Sequence, residues 1–284
     1  MSSLSKGAVH RREAPAKINL GLHVLRRRAD GFHEIETVLL PIGWHDVLTA
    51  HEADAFRFTC SDPTLPTGER NLVVRAARAF ERLAQREARV ALHLEKRLPH
   101  GAGLGGGSSD AARTLLLMRD LFAPDLSLRD LHPLAAALGS DIPFFLHDTP
   151  MLATGRGEVL APLGDYDFPF ALAVVMPPVQ IATAEAYALI QPNAQRRPDL
   201  QTVVESNDLD RWRHELTNDF EAPILARYPA IGRAKQDLLD AGAGYAALSG
   251  SGAAVFGVFE RKLDAERAVL SAEAAGFPVW TSAR

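Results

Sequence analysis

The feature of this sequence with the clearest chemical potential is a cluster of glycines in the first half of the chain. Five of the 21 glycines fall between Gly101 and Gly107, after a segment with strand alternation and before one with helical periodicity. Glycine allows positive φ angles and lets a ligand approach the main chain closely. The first turn of a helix offers free N–H groups and the positive end of its dipole, which together bind anions. With Ser108 predicted to cap that helix and Ser109 adding a second hydroxyl, the pattern predicts a phosphate-binding loop.

Several known loop types can be compared with this pattern. The P-loop is excluded because Ser108 follows Gly107 where that motif requires lysine. The dinucleotide motif G-x-G-x-x-G is met literally by Gly101, Gly103 and Gly106. However, its strand belongs to a parallel sheet and should be a continuous apolar run, whereas the strand before this loop alternates.

In protein kinases the glycine loop lies in a β-hairpin, and here a helix follows directly. A glycine-rich turn without a ligand would lose chain entropy with no compensating contact. A phosphate loop of another type is therefore favoured, with an NAD-linked oxidoreductase as the alternative.

The composition is that of a globular protein, and it excludes several classes of function. The 284 residues, 47% of them hydrophobic and 23% charged, suggest about two domains. The single cysteine rules out a disulfide within the chain. A net charge of −4 gives no basic footprint for nucleic acid or a membrane surface. No segment approaches the roughly 18 apolar residues of a membrane span, and the N-terminal residues lack the apolar stretch of a secretory signal. We therefore expect a cytoplasmic protein, and because no metal-binding motif is present, no metal site in the protein itself.

Hydrophobic periodicity predicts the elements that position the loop. Alternation or apolar runs predict strands at 14–25, 33–40, 46–59, 90–95, 170–176, 253–259 and 279–281. Helical spacing predicts helices opening at Asn71, at 108–122 and 127–138, and near 184–190, 229–241 and 264–275. Pro41 and Gly43 are expected to break the second strand, and residues 155–164 to form a linker. The pattern indicates an α+β protein of two lobes, with a nucleotide-binding lobe at 1–160 and a substrate-binding lobe at 161–284.

Three motifs in chain order resemble those of the GHMP kinases. Residues 99–112, Pro-His-Gly-Ala-Gly-Leu-Gly-Gly-Gly-Ser-Ser-Asp-Ala-Ala, resemble the phosphate loop of that family. Residues 15–20, Pro-Ala-Lys-Ile-Asn-Leu, resemble its first motif, and residues 248–256, Leu-Ser-Gly-Ser-Gly-Ala-Ala-Val-Phe, its third. The resemblance implies a two-lobed α+β fold with the active site in the cleft between the lobes. It also implies a small-molecule kinase that uses ATP, with Mg²⁺ carried by the nucleotide, acting as a monomer or homodimer.

Further segments resemble one branch of this family. They are residues 14–40, with Arg-Ala-Asp-Gly-Phe-His-Glu-Ile at 28–35, together with 96–99 and 139–145. That branch phosphorylates a tertiary hydroxyl of a methylerythritol unit carried on cytidine diphosphate, in the non-mevalonate route to isoprenoid precursors. The resemblance thus implies a small-molecule partner that is a cytidine-diphosphate-linked polyol. Another GHMP kinase, acting on homoserine or mevalonate, and a non-catalytic nucleotide-binding regulator are the alternatives within this fold.

The resemblance assigns catalytic roles to two residues. Asp141 matches the base that accepts the proton of the attacking hydroxyl, and Lys17 matches the cation beside it. Taken without the resemblance, Asp141 could instead cap the turn at residues 142–143, and Lys17 could be an exposed strand lysine. Asn19 lies two residues after Lys17 and so on the same strand face, which makes it a candidate contact for the substrate.

The remaining site residues follow from the same resemblance. Phe32 is expected to stack on cytosine, His33 to hydrogen-bond its edge, and Thr183 to contact substrate, although Thr183 could instead cap a helix. Asn71 and Lys96 match positions near adenine, with a helix cap and a solvated strand end as their alternatives. The loop residues expected to hold ATP are Pro99, His100, Gly101, Ala102, Gly103, Leu104, Gly105, Gly106, Gly107, Ser108 and Ser109.

Overall fold

The structure is a computed structural model that describes residues 8–195 and 197–282. The strands are β1 (His10–Arg27), β2 (His33–Glu52), β3 (Arg57–Cys60), β4 (Val90–Glu95), β5 (Met151–Thr154), β6 (Val159–Pro162), β7 (Ala171–Val175), β8 (Tyr245–Leu248), β9 (Val255–Phe259) and β10 (Val279–Thr281). The helices are α1 (Leu72–Ala84), α2 (Gly106–Phe122), α3 (Leu128–Leu138), α4 (Thr183–Ala188), α5 (Leu200–Glu205), α6 (Leu209–Glu215), α7 (Glu221–Arg227), α8 (Pro229–Asp240) and α9 (Lys262–Ala274), with one 3₁₀ turn at Phe144–Leu146. Within the described part of the chain, no helix combines the length and the apolar character that crossing a membrane requires.

The first of two compact units comprises the described residues up to Ala16, then Trp44–Leu98 and Gly105–Asp148. In it the end of β2 pairs antiparallel with β4, and β3 pairs parallel with β4. Helices α1, α2 and α3 pack against one another. Ser127 and Asp130 form a reciprocal capping box at the start of α3, as the predicted cap at Ser127 implies.

The second unit comprises Lys17–Gly43, Pro99–Leu104 and the chain from Thr149 onward. Its antiparallel sheet has the strand order β10-β7-β9-β8, and α8 and α9 pack on it. Every residue of β7 and β9 is buried, which explains the continuous apolar runs in the sequence. Helices α5, α6 and α7 were not anticipated, because each spans only six or seven residues and so shows little periodicity.

Strand β2 continues through the predicted break at Pro41 and Gly43, so that prediction is wrong. Residues Thr37–Leu39 pair with β5 and residues Val47–Glu52 pair with β4. Pro41 and Gly43 lie between these two ladders. The missing N–H of Pro41 therefore costs neither ladder a hydrogen bond.

The predicted linker at residues 155–164 is instead part of a hairpin. Strands β5 and β6 pair antiparallel on either side of a turn at residues 155–158, so β6 itself lies within the predicted linker. Gly155 and Gly157 take positive φ angles of 71° and 115° in the turn, and the Gly157 N–H donates to the Thr154 carbonyl at 3.0 Å. The turn needs these glycines because residues with side chains rarely adopt such angles.

The two compact units do not follow one another along the chain. Each is assembled from separate segments, whereas the expected lobes, 1–160 and 161–284, are continuous. The assignment of one lobe to nucleotide and the other to substrate stays a prediction.

Candidate active site

A buried polar cluster in the second unit contains the residues of the first motif. Lys17 is 4% exposed, and its Nζ donates to Asn19 Oδ1 at 2.6 Å and to the Gly103 carbonyl at 2.8 Å. Asn19 Nδ2 donates to Thr37 Oγ1 at 3.0 Å. The predicted shared face of Lys17 and Asn19 is confirmed by this direct contact. The alternative of an exposed strand lysine is wrong, since β1 is buried on both faces from Ala16 to Val24.

The third motif packs directly on the loop residues of this unit. Ser249 Oγ donates to the Gly103 carbonyl at 3.0 Å, and the Ala254 N–H donates to the Ala102 carbonyl at 3.0 Å. Gly103 has a φ of 74°, and a Cβ atom there would lie 2.1 Å from the Ser249 carbonyl oxygen. Only glycine fits this position, because both the angle and the close approach exclude a side chain.

Asn218 is a site residue that sequence reasoning missed. It is buried, and its Nδ2 donates to the carbonyls of Leu248 and Gly250 at 2.9 and 2.8 Å. Its Oδ1 accepts from the Phe220 N–H at 3.0 Å. Asn218 thus fixes the turn that contacts Gly103 from thirty residues away, a separation that leaves no local pattern to detect.

The rest of the glycine loop opens helix α2 in the first unit. Helix α2 begins at Gly106, and Gly105, with a φ of 74°, occupies the N-cap position without a side-chain hydrogen bond. The prediction that Ser108 caps the helix is therefore wrong, and Ser108 lies in the first turn. Ser109 is fully buried, and its Oγ has no hydrogen-bond partner among the described residues. A donor left unpaired in this way fits a helix start that binds the oxygen of an anion.

Lys96 lies in a buried ion cluster of the same unit, so the alternative of a solvated strand end is wrong. Its Nζ contacts a carboxylate oxygen of Asp46 closely and lies 3.0 Å from Asp110 Oδ2. Burial acts to lower the pKa of Lys96, but the two carboxylates outweigh this effect and raise it. Burial raises the pKa of Asp110 to about 7, and Asp110 Oδ1 accepts no hydrogen bond within the described residues.

Asp46 also holds the chain that leads into the loop. Its Oδ1 accepts the backbone N–H groups of Arg97 and Leu98 at 2.6 and 2.8 Å. The cluster therefore joins three parts of the first unit: β2 through Asp46, the end of β4 through Lys96, and the second turn of α2 through Asp110. Neither aspartate was anticipated as a partner of Lys96, because Asp46 and Asp110 lie 50 and 14 residues from it in the chain.

Asn71 caps helix α1, as its alternative interpretation predicted. Its Oδ1 accepts from the Val73 N–H at 2.9 Å, and its Nδ2 donates to the Pro66 carbonyl at 2.8 Å. The cap fixes the residue in place, and a contact with adenine stays a prediction.

An aromatic group in the second unit surrounds the predicted base-binding residues. The His33 ring stacks on Tyr187 with centroids 4.6 Å apart and an interplanar angle of 17°. Phe32 is 50% exposed, and the Arg156 guanidinium lies 4.8 Å from its ring centroid. Burial, and then the charge of Arg27, lower the pKa of His33, which favours a neutral imidazole at pH 7. These rings offer the planar surfaces on which a base stacks.

The two remaining predicted site residues, Thr183 and Asp141, belong to different compact units. Thr183 is exposed and is the first residue of α4, whose N-cap is Ala182. The alternative in which Thr183 caps this helix is therefore wrong. Asp141 is half-buried in the first unit, and the N-cap of the following 3₁₀ turn is Pro143. Lys17 belongs to the second unit, so its predicted pairing with Asp141 stays a prediction.

Comparison with known proteins identifies the class to which this fold and these motifs belong. Residues 71–149 match the model of the GHMP kinases N-terminal domain, and residues 198–277 match that of the GHMP kinases C-terminal domain. The chain belongs to the GHMP kinase family, and it is a small-molecule kinase. Among the described residues, no group of three or more His, Cys, Asp or Glu side chains is arranged to hold a metal ion.

Individual relatives fall within one branch of that family. The 4-diphosphocytidyl-2-C-methyl-D-erythritol kinase of Salinibacter ruber is 49% identical over 91% of this chain and 93% of its own length. The kinase of the same name from Chlorobium limicola is 43% identical over 92% of each chain. A crystal structure of 4-(cytidine 5′-diphospho)-2C-methyl-D-erythritol kinase superposes with a TM-score of 0.82 at 34% identity, covering 96% of this chain and 98% of that one. A homoserine kinase from Cytophaga hutchinsonii shares the fold, with a TM-score of 0.76 at 19% identity over 99% of this chain and 96% of that one.

Proposed function

We propose that this protein transfers the γ-phosphoryl group of ATP to the tertiary 2-hydroxyl of 4-diphosphocytidyl-2-C-methyl-D-erythritol, in the non-mevalonate route to isoprenoid precursors. The observation that carries the proposal is the 49% identity, over nine-tenths of both chains, with a kinase named for this substrate. Relatives that share only the fold, such as the homoserine kinase at 19% identity, do not discriminate between substrates.

In this proposal Asp141 accepts the proton of the substrate hydroxyl as the phosphoryl group transfers. Lys17 supplies the positive charge that favours the ionised base and orients the hydroxyl. The buried hydrogen bonds from Lys17 to Asn19 and Gly103 support this role, because they fix the ammonium in place. A charge fixed before substrate binds needs no reorganisation during the reaction.

The base of the substrate binds to the aromatic group. Phe32 stacks on cytosine, and a neutral His33 can both donate to and accept from the pyrimidine edge. Tyr187, stacked on His33, holds that imidazole in a fixed plane. Thr183 is exposed at the start of α4 and is available to contact the substrate.

ATP binds to residues 99–109, with Asn71 and Lys96 on the adenine side. The unpaired Ser109 hydroxyl and the free N–H groups at the start of α2 support a phosphate site there. Mg²⁺ arrives with the nucleotide and neutralises phosphate charge when bound. The hydroxyl oxygens of Ser108 and Ser109 would be its ligands on this chain. Because the Lys96 ammonium is committed to two aspartates, Lys96 positions the end of β4 rather than contacting ATP with its charge.

The deciding experiment is an ADP-release assay with equal concentrations of the cytidyl substrate, homoserine, mevalonate and galactose. We expect turnover with the cytidyl substrate and at least a hundredfold less with the others. Faster turnover with homoserine or mevalonate would assign another GHMP activity. ADP release with none of the four would reject the proposed substrate and place the acceptor outside this panel.

We also propose a cytoplasmic location and a monomer or homodimer. An ATP-dependent small-molecule kinase with a single cysteine fits a reducing compartment. Light scattering coupled to gel filtration measures the oligomeric state directly.

A further inference from the structure

The most informative contact outside the predicted residues is the one between Arg156 and Phe32. The guanidinium carbon lies 4.8 Å from the ring centroid, within the range of a cation–π interaction. Half of the Phe32 residue surface remains exposed. The ring is therefore partly covered by a cation and partly open to a ligand.

Arg156 is held firmly in the turn of the β5–β6 hairpin. Its backbone N–H donates to Glu158 Oε2 at 2.6 Å, and its Nε donates to Glu158 Oε1 at 3.3 Å. The preceding carbonyl, of Gly155, accepts from the Ile35 N–H at 2.8 Å. This hydrogen bond joins the turn to the third residue of β2, two residues after His33.

The backbone of Phe32 is also fixed, whereas the residue is half exposed. The Phe32 N–H donates to Asp30 Oδ1 at 3.1 Å, and its carbonyl accepts from the Arg28 N–H at 2.8 Å. Arg28 in turn contacts Asp30 and Glu34 at 3.0 and 2.9 Å. With the main chain held on both sides, the orientation of the exposed ring depends on what covers it, and Arg156 does.

We propose that Arg156 is a positioning residue for substrate recognition: it covers one face of Phe32 and holds the ring so that the other face receives the pyrimidine. This inference rests on the proposed function, in which Phe32 stacks on cytosine. Holding the ring in place before binding removes an ordering cost that the substrate would otherwise bear. The loss of Arg156 should therefore weaken binding of the cytidyl substrate without altering the chemical step.

The test compares Arg156→Ala, Arg156→Lys and wild type in steady-state assays with the cytidyl substrate and ATP. We expect Arg156→Ala to raise the KM for the cytidyl substrate about two- to fivefold, the effect of an exposed cation–π contact. The kcat and the KM for ATP should stay unchanged. Arg156→Lys should recover part of the loss, because it keeps the charge but not the planar group.

A matched control and a double mutant make the result specific. Arg86 lies over the Phe122 ring at 5.3 Å, so Arg86→Ala removes a similar contact in the other compact unit and should leave every kinetic constant unchanged. In a Phe32→Leu background, adding Arg156→Ala should produce no further rise in KM.

Two results would overturn the inference while leaving the proposed function intact. One is an unchanged KM in Arg156→Ala. The other is an equal rise in the wild-type and Phe32→Leu backgrounds, which would show that Arg156 acts independently of the ring. Absence of turnover of the cytidyl substrate by the wild-type protein would instead reject the proposed function and the inference together.

Discussion

Replacing Asp110 by asparagine should change how stability depends on pH. Asp110 shares a buried site with one cation, Lys96, and a second carboxylate, Asp46. If both aspartates were ionised, the cluster would carry a net negative charge away from water, which is unfavourable. Burial accordingly raises the pKa of Asp110 from 3.8 to about 7. The substitution keeps the shape of the side chain and an oxygen for Lys96, and it removes the titration.

The direction in which stability changes with pH follows from the number of protons that the folded and unfolded states bind. Between pH 4 and pH 7 the folded protein retains a proton on Asp110 that the unfolded chain has released, so wild-type stability falls as pH rises. A pKa raised from 3.8 to about 7 corresponds to at most about 4 kcal/mol over that interval. The Asp110→Asn variant lacks this loss. Its stability relative to wild type should therefore increase from pH 4 to pH 7 and become constant above pH 8.

Urea denaturation at half-unit steps from pH 4.5 to 8.5 measures this difference. Asp120→Asn is a suitable control, since it removes a carboxylate from the same helix. Although partial burial acts to raise it, hydrogen bonds from Arg12 and Arg119 lower the pKa of Asp120. The stability that the Asp120 carboxylate contributes is lost only as the pH falls below the ordinary pKa of an aspartate. The stability difference between Asp120→Asn and wild type should therefore be constant across pH 5–8. A stability difference for Asp110→Asn that is also constant, or that decreases as pH rises, would refute the reasoning.

Three further outcomes test the site. Asp141→Asn should lower kcat by about 10²- to 10⁴-fold with an unchanged dissociation constant for ATP, and near-normal turnover would remove the base assignment. Lys17→Ala should lower kcat by about 100-fold, the effect of losing one preorganised donor; if it remains fully active, Lys17 has only a structural role. Gly103→Ala should destabilise the protein by at least about 2 kcal/mol from left-handed strain and overlap with Ser249. Gly101→Ala has a similar φ but no atom within 4 Å of the added carbon, so calorimetry of both variants separates overlap from strain.

Local patterns in the sequence predicted the elements that are determined locally. The alternation at Val90–Glu95 and the short run at Val279–Thr281 gave strands with the observed bounds. Asn71 and Ser127 marked helix starts because capping is a contact between near neighbours in the chain. The phosphate-binding role of the loop, inferred from residue types, stays a prediction.

Features that depend on distant partners could not be predicted in this way. The continuity of β2 through Pro41 depends on its pairing with β1, β4 and β5, which come from separate parts of the chain. The burial of Lys96 depends on Asp46 and Asp110, which approach it from separate elements. The helix cap was misplaced to Ser108 because Gly105 reaches the cap position through its backbone angle, which leaves no side-chain signature.

The interleaving of the two compact units along the chain constrains which recombination events leave each unit intact. The chain passes from one unit to the other after Ala16, Gly43, Leu98, Leu104 and Asp148. A recombination crossover at residue 160 would separate the sheet of β7–β10 from Lys17 and Gly103, which belong to the same unit. Such a chimera would combine parts of a single unit from two parents. Exchange of intact units between homologues therefore requires several simultaneous crossovers, and the whole gene is the practical unit of exchange.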